Sequence, residues 1–232
     1  MSNDDPLLVI GTHAAKVDGL IKSTGQEIYA DDIHLPQMLY GKMLGAIVPH
    51  ARIRSIDVSR AEALPGVKAI ITGSEMPIKY GILPVSEDEY PLEIDRVRFV
   101  GDPVAAVAAV DEATAEEAVR LIEVDYEELP GIFDIDEGLR PVEAAHRIHD
   151  YGPRGNVHKL VHLHFGDVDA AMQAAATVHE GVYFYSGNNH LAMEEHAAVA
   201  QYGADGRLTL WSSTQTPHYV HKAMAKVLEM PA

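Results

Sequence analysis

The sequence predicts a mixed chain, α+β and α/β, in two parts. Three observations predict it. Residues 104–110 (VAAVAAV) are apolar without alternation, as in a strand buried on both faces. A helix start and a further strand follow by residue 126, and this strand–helix–strand order suggests an α/β layer. Near the other end, two strand-like runs, 190–202 and 207–212, flank Ala204-Asp205-Gly206. Asp-Gly suits a tight turn because Gly accepts positive φ. Between these parts, residues 133–153 are acidic and broken by Pro141, Gly152 and Pro153, as in a linker. The expected division is 1–132, a linker at 133–153, and 154–232.

Each element has a local reason. Residues 1–5 read as a frayed tail, and residues 11–30 show no clear period. Asp31 to Pro36 reads as a turn, since Asp bonds its own backbone and Pro blocks regular structure. Residues 38–48 are apolar with small residues and predict a strand, broken by Pro49-His50. Residues 52–58 predict the next strand. Ser59-Arg60-Ala61-Glu62 has the form of a capping box and starts a short helix, which Pro65-Gly66 ends. Residues 67–72 are a strand. Residues 76–95 hold Pro77, Pro84 and Pro91 and predict a long loop.

Residues 98–100 predict a short strand, and Gly101-Asp102-Pro103 a turn. Thr114-Ala115-Glu116-Glu117 repeats the capping-box pattern and predicts a helix to Leu121, with a strand over 122–126. Leu129-Pro130-Gly131 closes the first part. Strands are expected over 159–165 and 177–185, with a helix over 168–176 capped by Asp167. Thr216 as N-cap and Pro217 at the first helical position open a helix over 218–228. Pro231, just past that helix, suggests that the chain is a fragment of something longer.

Composition excludes several functions. With 232 residues, 47% of them hydrophobic, the chain is not a disordered one. A net charge of −17 repels phosphate backbones, so neither nucleic acid nor an anionic membrane is an expected partner. No cysteine is present, which excludes disulfides, thiolate zinc sites and Cys-ligated iron–sulfur clusters in this chain. An acidic chain without cysteine fits the cytoplasm. The first residues lack the basic and apolar regions of a signal peptide. No apolar run approaches the ~18 residues of a membrane span.

The candidate chemistry is sparse. His162 and His164, spaced i, i+2 on a predicted strand, share a face near His158 and have metal-ligand chemistry, but ordinary strand histidines are the commoner meaning. His190, Glu194, Glu195 and His196 match neither HExxH nor HxxEH. Glu194-Glu195 lies in an apolar run, where burial would raise a carboxylate pKa; an ion-paired or rim position is the alternative. No phosphate-binding glycine loop and no nucleophile elbow occurs. The distinctive feature is Gln215, a neutral amide between a strand end and a helix N-terminus. Such a place suits a small anion or an oxo group, because helix ends present unpaired N–H donors.

Several phrases, in order, resemble one family. They are Gly25-Gln26 with Tyr29 and Asp31-Asp32; Pro49-His50-Ala51-Arg52-Ile53; Ser55-Ile56-Asp57; Pro65-Gly66-Val67; Val100-Gly101-Asp102-Pro103-Val104; and Val124-Asp125-Tyr126-Glu127-Glu128-Leu129-Pro130. In the second part they are Gly166-Asp167-Val168 with Ala171, His190 through Glu194, and Ser213-Thr214-Gln215 with Pro217. The chain resembles the large, molybdenum-cofactor subunit of the xanthine oxidase (molybdenum hydroxylase) family. The stretch from Tyr185 to Gly203 and the STQTPH loop look most similar to the 4-hydroxybenzoyl-CoA reductase branch.

The resemblance implies an α/β hammerhead domain followed by the incomplete start of a molybdenum-cofactor-binding domain. It implies that Gln215 hydrogen-bonds the molybdenum centre of a pterin dinucleotide cofactor, and that residues 188–194 lie near the cofactor cavity. It implies partner subunits carrying iron–sulfur clusters and FAD, ferredoxin as electron donor, and an acyl-CoA substrate that loses its phenolic hydroxyl. The glycine-rich cofactor loop and the catalytic glutamate of the family have no match in these residues, so the chain alone is expected to be inactive. The rival readings are another molybdenum hydroxylase of the xanthine, aldehyde or CO dehydrogenase type, a docking module for an iron–sulfur subunit, and, last, a His/carboxylate metallohydrolase.

Overall fold

A computed structural model describes residues 10–11, 13–81, 87–140, 147–149 and 155–231. The chain divides into two compact units, Met1–Pro36 with Gly187–Gln215 and Gln37–Ser186 with Thr216–Ala232.

The larger unit is built on two antiparallel three-stranded sheets. One has β5 (Pro103–Ala109) between β1 (Tyr40–Gly45) and β3 (Val67–Thr72). The other has β2 (Ala51–Asp57) between β4 (Arg96–Val97) and β6 (Glu123–Glu128). Tyr40 pairs with Ala109 and Met43 with Ala106, while Ile70 pairs with Val107, so β5 is hydrogen-bonded on both edges. Its small residues explain that place. Val104, Ala105, Val107 and Ala109 are all buried, and Ala lets a helix approach closely.

That helix is α3 (Glu112–Leu121), which packs Ala118, and Ile122 just beyond its end, against β5, together with Ala61 of α2 (Ser59–Glu62). Leu44, Ile56 and Val124 also border the second cluster, Ala46, Ala51, Val97 and Val104. One continuous apolar core thus joins both sheets. Gly45 and Gly101 sit at the corner. Gly101 has φ +95°, and a Cβ on Gly45 would fall 2.9 Å from the Gly101 Cα. Both positions therefore exclude a side chain.

Several expectations change. The strand–helix–strand run expected over 104–126 forms, but its two strands, β5 and β6, lie in different antiparallel sheets. The helix expected from Thr114 starts three residues earlier in cap terms. Asp111 is the cap, its carboxylate accepting from the Thr114 N–H at 2.8 Å. At α2 the cap is Val58 without a side-chain bond, and the Ser59 N–H donates to Asp57 Oδ1, so the Ser59 box does not form. The short strand expected at 98–100 lies instead at Arg96–Val97, because Arg98 is drawn into a polar knot described below. A five-residue helix, α4 (Ile135–Leu139), capped by Asp134, interrupts the expected linker. The expected tail at 1–5 and residues 141–146 and 150–153 of the linker lie outside the described residues.

The second half departs most. Residues 159–165 and 177–185, both expected as strands, are unpaired coil with their side chains exposed. Between them α5 (Val168–Ala174) forms as expected, with Asp167 accepting from the Ala170 N–H at 2.9 Å. The helix α6 (Pro217–Val227) also forms, and its Lys226 pairs with Glu87.

In the smaller unit, α1 (Gly19–Ser23) appears where no period was legible, and a 3-10 turn at Ala30–Asp32 matches the expected turn. The strand expected over 190–202 is confined to β7 (Ala198–Tyr202), which pairs with β8 (Leu208–Ser212). Among the described residues no helix is long and apolar enough to cross a membrane.

Candidate functional site

Gln215 follows a hairpin whose register is Ala198 with Ser212, Ala200 with Leu210 and Tyr202 with Leu208. The turn closes through the Gly203 N–H to the Arg207 carbonyl (2.9 Å) and the Gly206 N–H to the Gly203 carbonyl (3.0 Å). Gly206 has φ +79°, the left-handed value that the Asp-Gly pair predicts. At the open end the ladder runs one step past the strands. The Ser213 N–H donates to the Ala197 carbonyl at 3.1 Å, and Ser213 Oγ accepts from the Ala197 N–H at 3.0 Å. The Thr214 N–H donates to the Ser212 carbonyl at 2.9 Å.

This stitching holds the backbone immediately before Gln215. The Gln215 side chain itself is exposed, where the resemblance implies a buried amide. The chain then enters α6, which belongs to the other unit. Thr216 occupies the N-cap position and Pro217 the first helical one, but the Thr216 side chain makes no cap hydrogen bond. The chemistry of Gln215 fits a metal-oxo ligand: its neutral N–H can donate to an oxo group without adding charge.

The other sequence candidates are not brought together. His190, Glu194, Glu195 and His196 lie in exposed coil before β7, so no strand sends the two acids to opposite faces and no burial acts on them. Leu191 within this stretch has φ +49°. His162 and His164 are exposed on coil and share no strand face. Among the described residues no group of three His, Cys, Asp or Glu side chains is placed to hold a metal ion.

Sequence reasoning missed a buried polar knot in the larger unit. Glu93 and Asp102 are each 4% exposed, with Arg98 between them. Arg98 Nη1 donates to Glu93 Oε2 at 2.9 Å, and the Arg98 N–H to Asp102 Oδ2 at 2.8 Å. Arg98 Nε also reaches the Ile148 carbonyl at 3.1 Å, and Arg96 Nη1 the Arg147 carbonyl at 3.3 Å. Burial pushes the Glu93 carboxyl up to about 7 against the pull of Arg98. Burial also raises Asp102, opposed by the Arg98 N–H. Of the two acids the guanidinium bonds only Glu93, and Asp102 has the Arg98 backbone N–H instead, so one cation beside two buried acids cannot keep both as easily ionised as in water.

His50, fully buried, completes the corner. Its Nδ1 donates to the Pro130 carbonyl at 2.8 Å, while Nε2 has no partner among the described residues. Burial lowers its pKa, and the charges of Arg96, Arg98 and Arg52 add to that. The phrases Pro49-His50-Ala51 and Gly101-Asp102-Pro103 were the available signal, but burial itself was not legible. Beside the knot lies a cleft of about 370 Å³. There His149 Nδ1 meets Asp88 Oδ2 at 2.8 Å.

Residues 24–130 match the family described as "Aldehyde oxidase and xanthine dehydrogenase, a/b hammerhead domain", and residues 148–232 match "Molybdopterin cofactor-binding domain". The nicotinate dehydrogenase large molybdopterin subunit of Eubacterium barkeri is 39% identical over 223 residues, 96% of this chain and 51% of that protein. The xanthine dehydrogenase molybdenum-binding subunit of Escherichia coli is 33% identical over 230 residues, 93% of this chain and 29% of that protein. Among solved structures, quinoline 2-oxidoreductase from Pseudomonas putida 86 is similar with a TM-score of 0.79 and 33% identity, over 95% of this chain and 29% of its own. Reconstituted CO dehydrogenase from Oligotropha carboxidovorans gives 0.80 and 31%, over 95% and 29%. The chain thus spans about half of the first relative and under a third of the other three.

Proposed function

The chain belongs to the molybdenum hydroxylase family of xanthine and aldehyde oxidoreductases, and from that premise we propose that it works as the molybdenum-cofactor subunit of a multi-subunit oxidoreductase. In this reading residues 1–132 are the hammerhead domain, 133–153 the linker and 154–232 the first portion of the cofactor-binding domain. The cofactor, a molybdenum-pterin dinucleotide, supplies the two-electron chemistry, and the protein supplies position and electrostatics. Gln215 is the residue of this chain that donates to the metal's oxo group, with residues 188–194 near the same cavity. The observation that carries this is the Gln215 amide, exposed and held on a backbone that the Ser213–Ala197 bonds fix. Iron–sulfur and flavin subunits pass the electrons, in the cytoplasm.

Two substrate readings remain, each with its own support. The phrases from Tyr185 to Gly203 and the STQTPH loop favour reductive removal of the hydroxyl from 4-hydroxybenzoyl-CoA, with ferredoxin as donor. The names of the nicotinate and quinoline enzymes among the relatives favour hydroxylation of a nitrogen-containing aromatic ring. A net charge of −17 attracts neither an acyl-CoA nor the nicotinate anion, and of the rings named only neutral quinoline escapes that objection.

The test is made on the assembled complex. Molybdenum content is measured together with turnover of 4-hydroxybenzoyl-CoA under reduced ferredoxin, and of nicotinate and quinoline with an electron acceptor. Gln215→Ala is expected to keep molybdenum and lower kcat at least tenfold, the scale of losing one positioned donor. Unchanged kcat in that variant would overturn the role of Gln215. Tight binding of partner subunits without molybdenum would favour the docking reading instead.

A further inference from the structure

The buried knot in the larger unit is tied to a stretch of chain some way along the sequence. The guanidinium of Arg98 that donates to Glu93 through Nη1 also donates to the Ile148 carbonyl through Nε, at 3.1 Å. Arg96, on β4, reaches the Arg147 carbonyl at 3.3 Å. The Ile148 N–H donates to Asn156 Oδ1 at 2.8 Å, and His149 Nδ1 meets Asp88 Oδ2 at 2.8 Å. Residues 147–149 thus lie against the knot as a strap held by polar bonds. Ile148 and His149 also line the cleft of about 370 Å³, so the strap is one wall of that cleft.

The charge inside this site does not balance. Glu93 and Asp102 are two buried acids, and Arg98 is the one cation bonded to them among the described residues. Arg96 donates to the strap, and burial with the nearby arginines holds His50 toward its neutral form. Asp95 faces Glu93, and Glu89 and His149 face Asp102. Tyr80 and Tyr126 look onto the same acids and stay neutral, because burial raises both phenols. Closed off from water, two carboxylates beside one guanidinium favour an extra proton. We propose that residues 147–149 form a proton-controlled strap, closed while the knot keeps that proton and released from Arg96 and Arg98 when the proton passes to water, which opens the cleft. Glu93 is raised to about 7 in the closed site, against 4.5 for an ordinary glutamate, and opening lets water restore the ordinary value. Closure is therefore fully favoured below 4.5, and opening rises about tenfold per pH unit from there to about 7.

The reporter is the Ile148 amide of the full chain, followed by hydrogen exchange beside the amides of β5. From about pH 5 to about pH 7 its protection is expected to fall at least tenfold. The β5 amides are expected to stay at least tenfold better protected throughout, which makes the opening local. Glu93→Gln, which cannot ionise, is expected to flatten the Ile148 profile. His149 and Asp88 form an ion pair only while the imidazole is protonated, so His149→Gln is the companion variant, and the fall is expected to persist in it. Arg98→Lys keeps the charge and loses the guanidinium fork, and is expected to lower Ile148 protection at least tenfold already at about pH 5. A fall that Glu93→Gln keeps and His149→Gln abolishes would give the control to His149 and overturn the proposal. So would a parent profile flat in pH, Ile148 exchanging at the rate of β5, or full Ile148 protection in Arg98→Lys. Molybdenum enters none of these readouts, so the strap and the cofactor reading fail separately.

Discussion

Strand β5 and the segment 177–185 carry the same kind of message and meet opposite fates. β5 and, within the segment, residues 182–185 are apolar on consecutive positions. Val107 in β5 is 2% exposed, and Val182 in the segment is 99% exposed. β5 has β1 and β3 on its edges and α3 across its face. The segment has none of these among the described residues. An apolar run therefore specifies a capacity for burial, and neighbours decide whether burial occurs. The same contrast holds for helices. Asp111 and Asp167 cap their helices with bonds of 2.8 and 2.9 Å. Yet α3 contributes Ala115 and Ala118 to the core, and α5 buries no residue.

The comparison can be broken most directly with a charge. Val107→Asp places a carboxylate in the core and is expected to cost about 4 kcal/mol or more, enough to abolish cooperative unfolding of the larger unit. Phe184→Asp in the same chain is expected to change stability by less than about 0.5 kcal/mol. Urea unfolding followed by circular dichroism measures both. A comparable loss in the two variants would mean that the exposed segment is covered in solution.

The next contrast is electrostatic. Glu93 keeps its proton in the folded state up to about 7, against an ordinary glutamate value of 4.5. Its contribution to stability is therefore full below about 4.5 and is lost as pH rises through 7. At about 1.4 kcal/mol per pH unit, that loss is on the order of 3 kcal/mol. Glu93→Gln is expected to flatten this part of the profile. His50 has the opposite sign: its pKa is lowered, so its contribution is present above 6.5 and is lost as pH falls. Comparing melting temperature against pH in the Glu93→Gln variant and the parent isolates the Glu93 part, because His50 is common to both. A parent profile that falls toward pH 4.5 in the same way as the variant's would refute the buried-acid account.

The smallest effect concerns the caps. Asp111→Ala is expected to cost about 1 kcal/mol of global stability, because α3 is part of the core. Asp167→Ala removes an equivalent bond from a helix that holds no core residue. It is expected to speed local exchange in α5 without moving the global urea midpoint. A shift of that midpoint by Asp167→Ala would place α5 in a packed layer.

The sequence alone determined where chain direction and local bonding change. The Asp205-Gly206 turn, Pro217 at the start of α6, the Asp167 cap, the strand at 67–72 and, within one residue, the strand expected at 104–110 follow from local torsional preference, hydrogen-bond reach and apolar pattern. The ordered short phrases likewise carried the family, and they put Gln215 just past a strand end, where it stands. What only the tertiary structure decided depends on partners far along the chain. It sorted β5 and β6 into different sheets, buried Glu93 and Asp102 around Arg98, and left Gln215 and residues 177–185 on the surface. Burial and strand pairing are properties of what lies opposite a residue, and a linear pattern records only what that residue is able to tolerate.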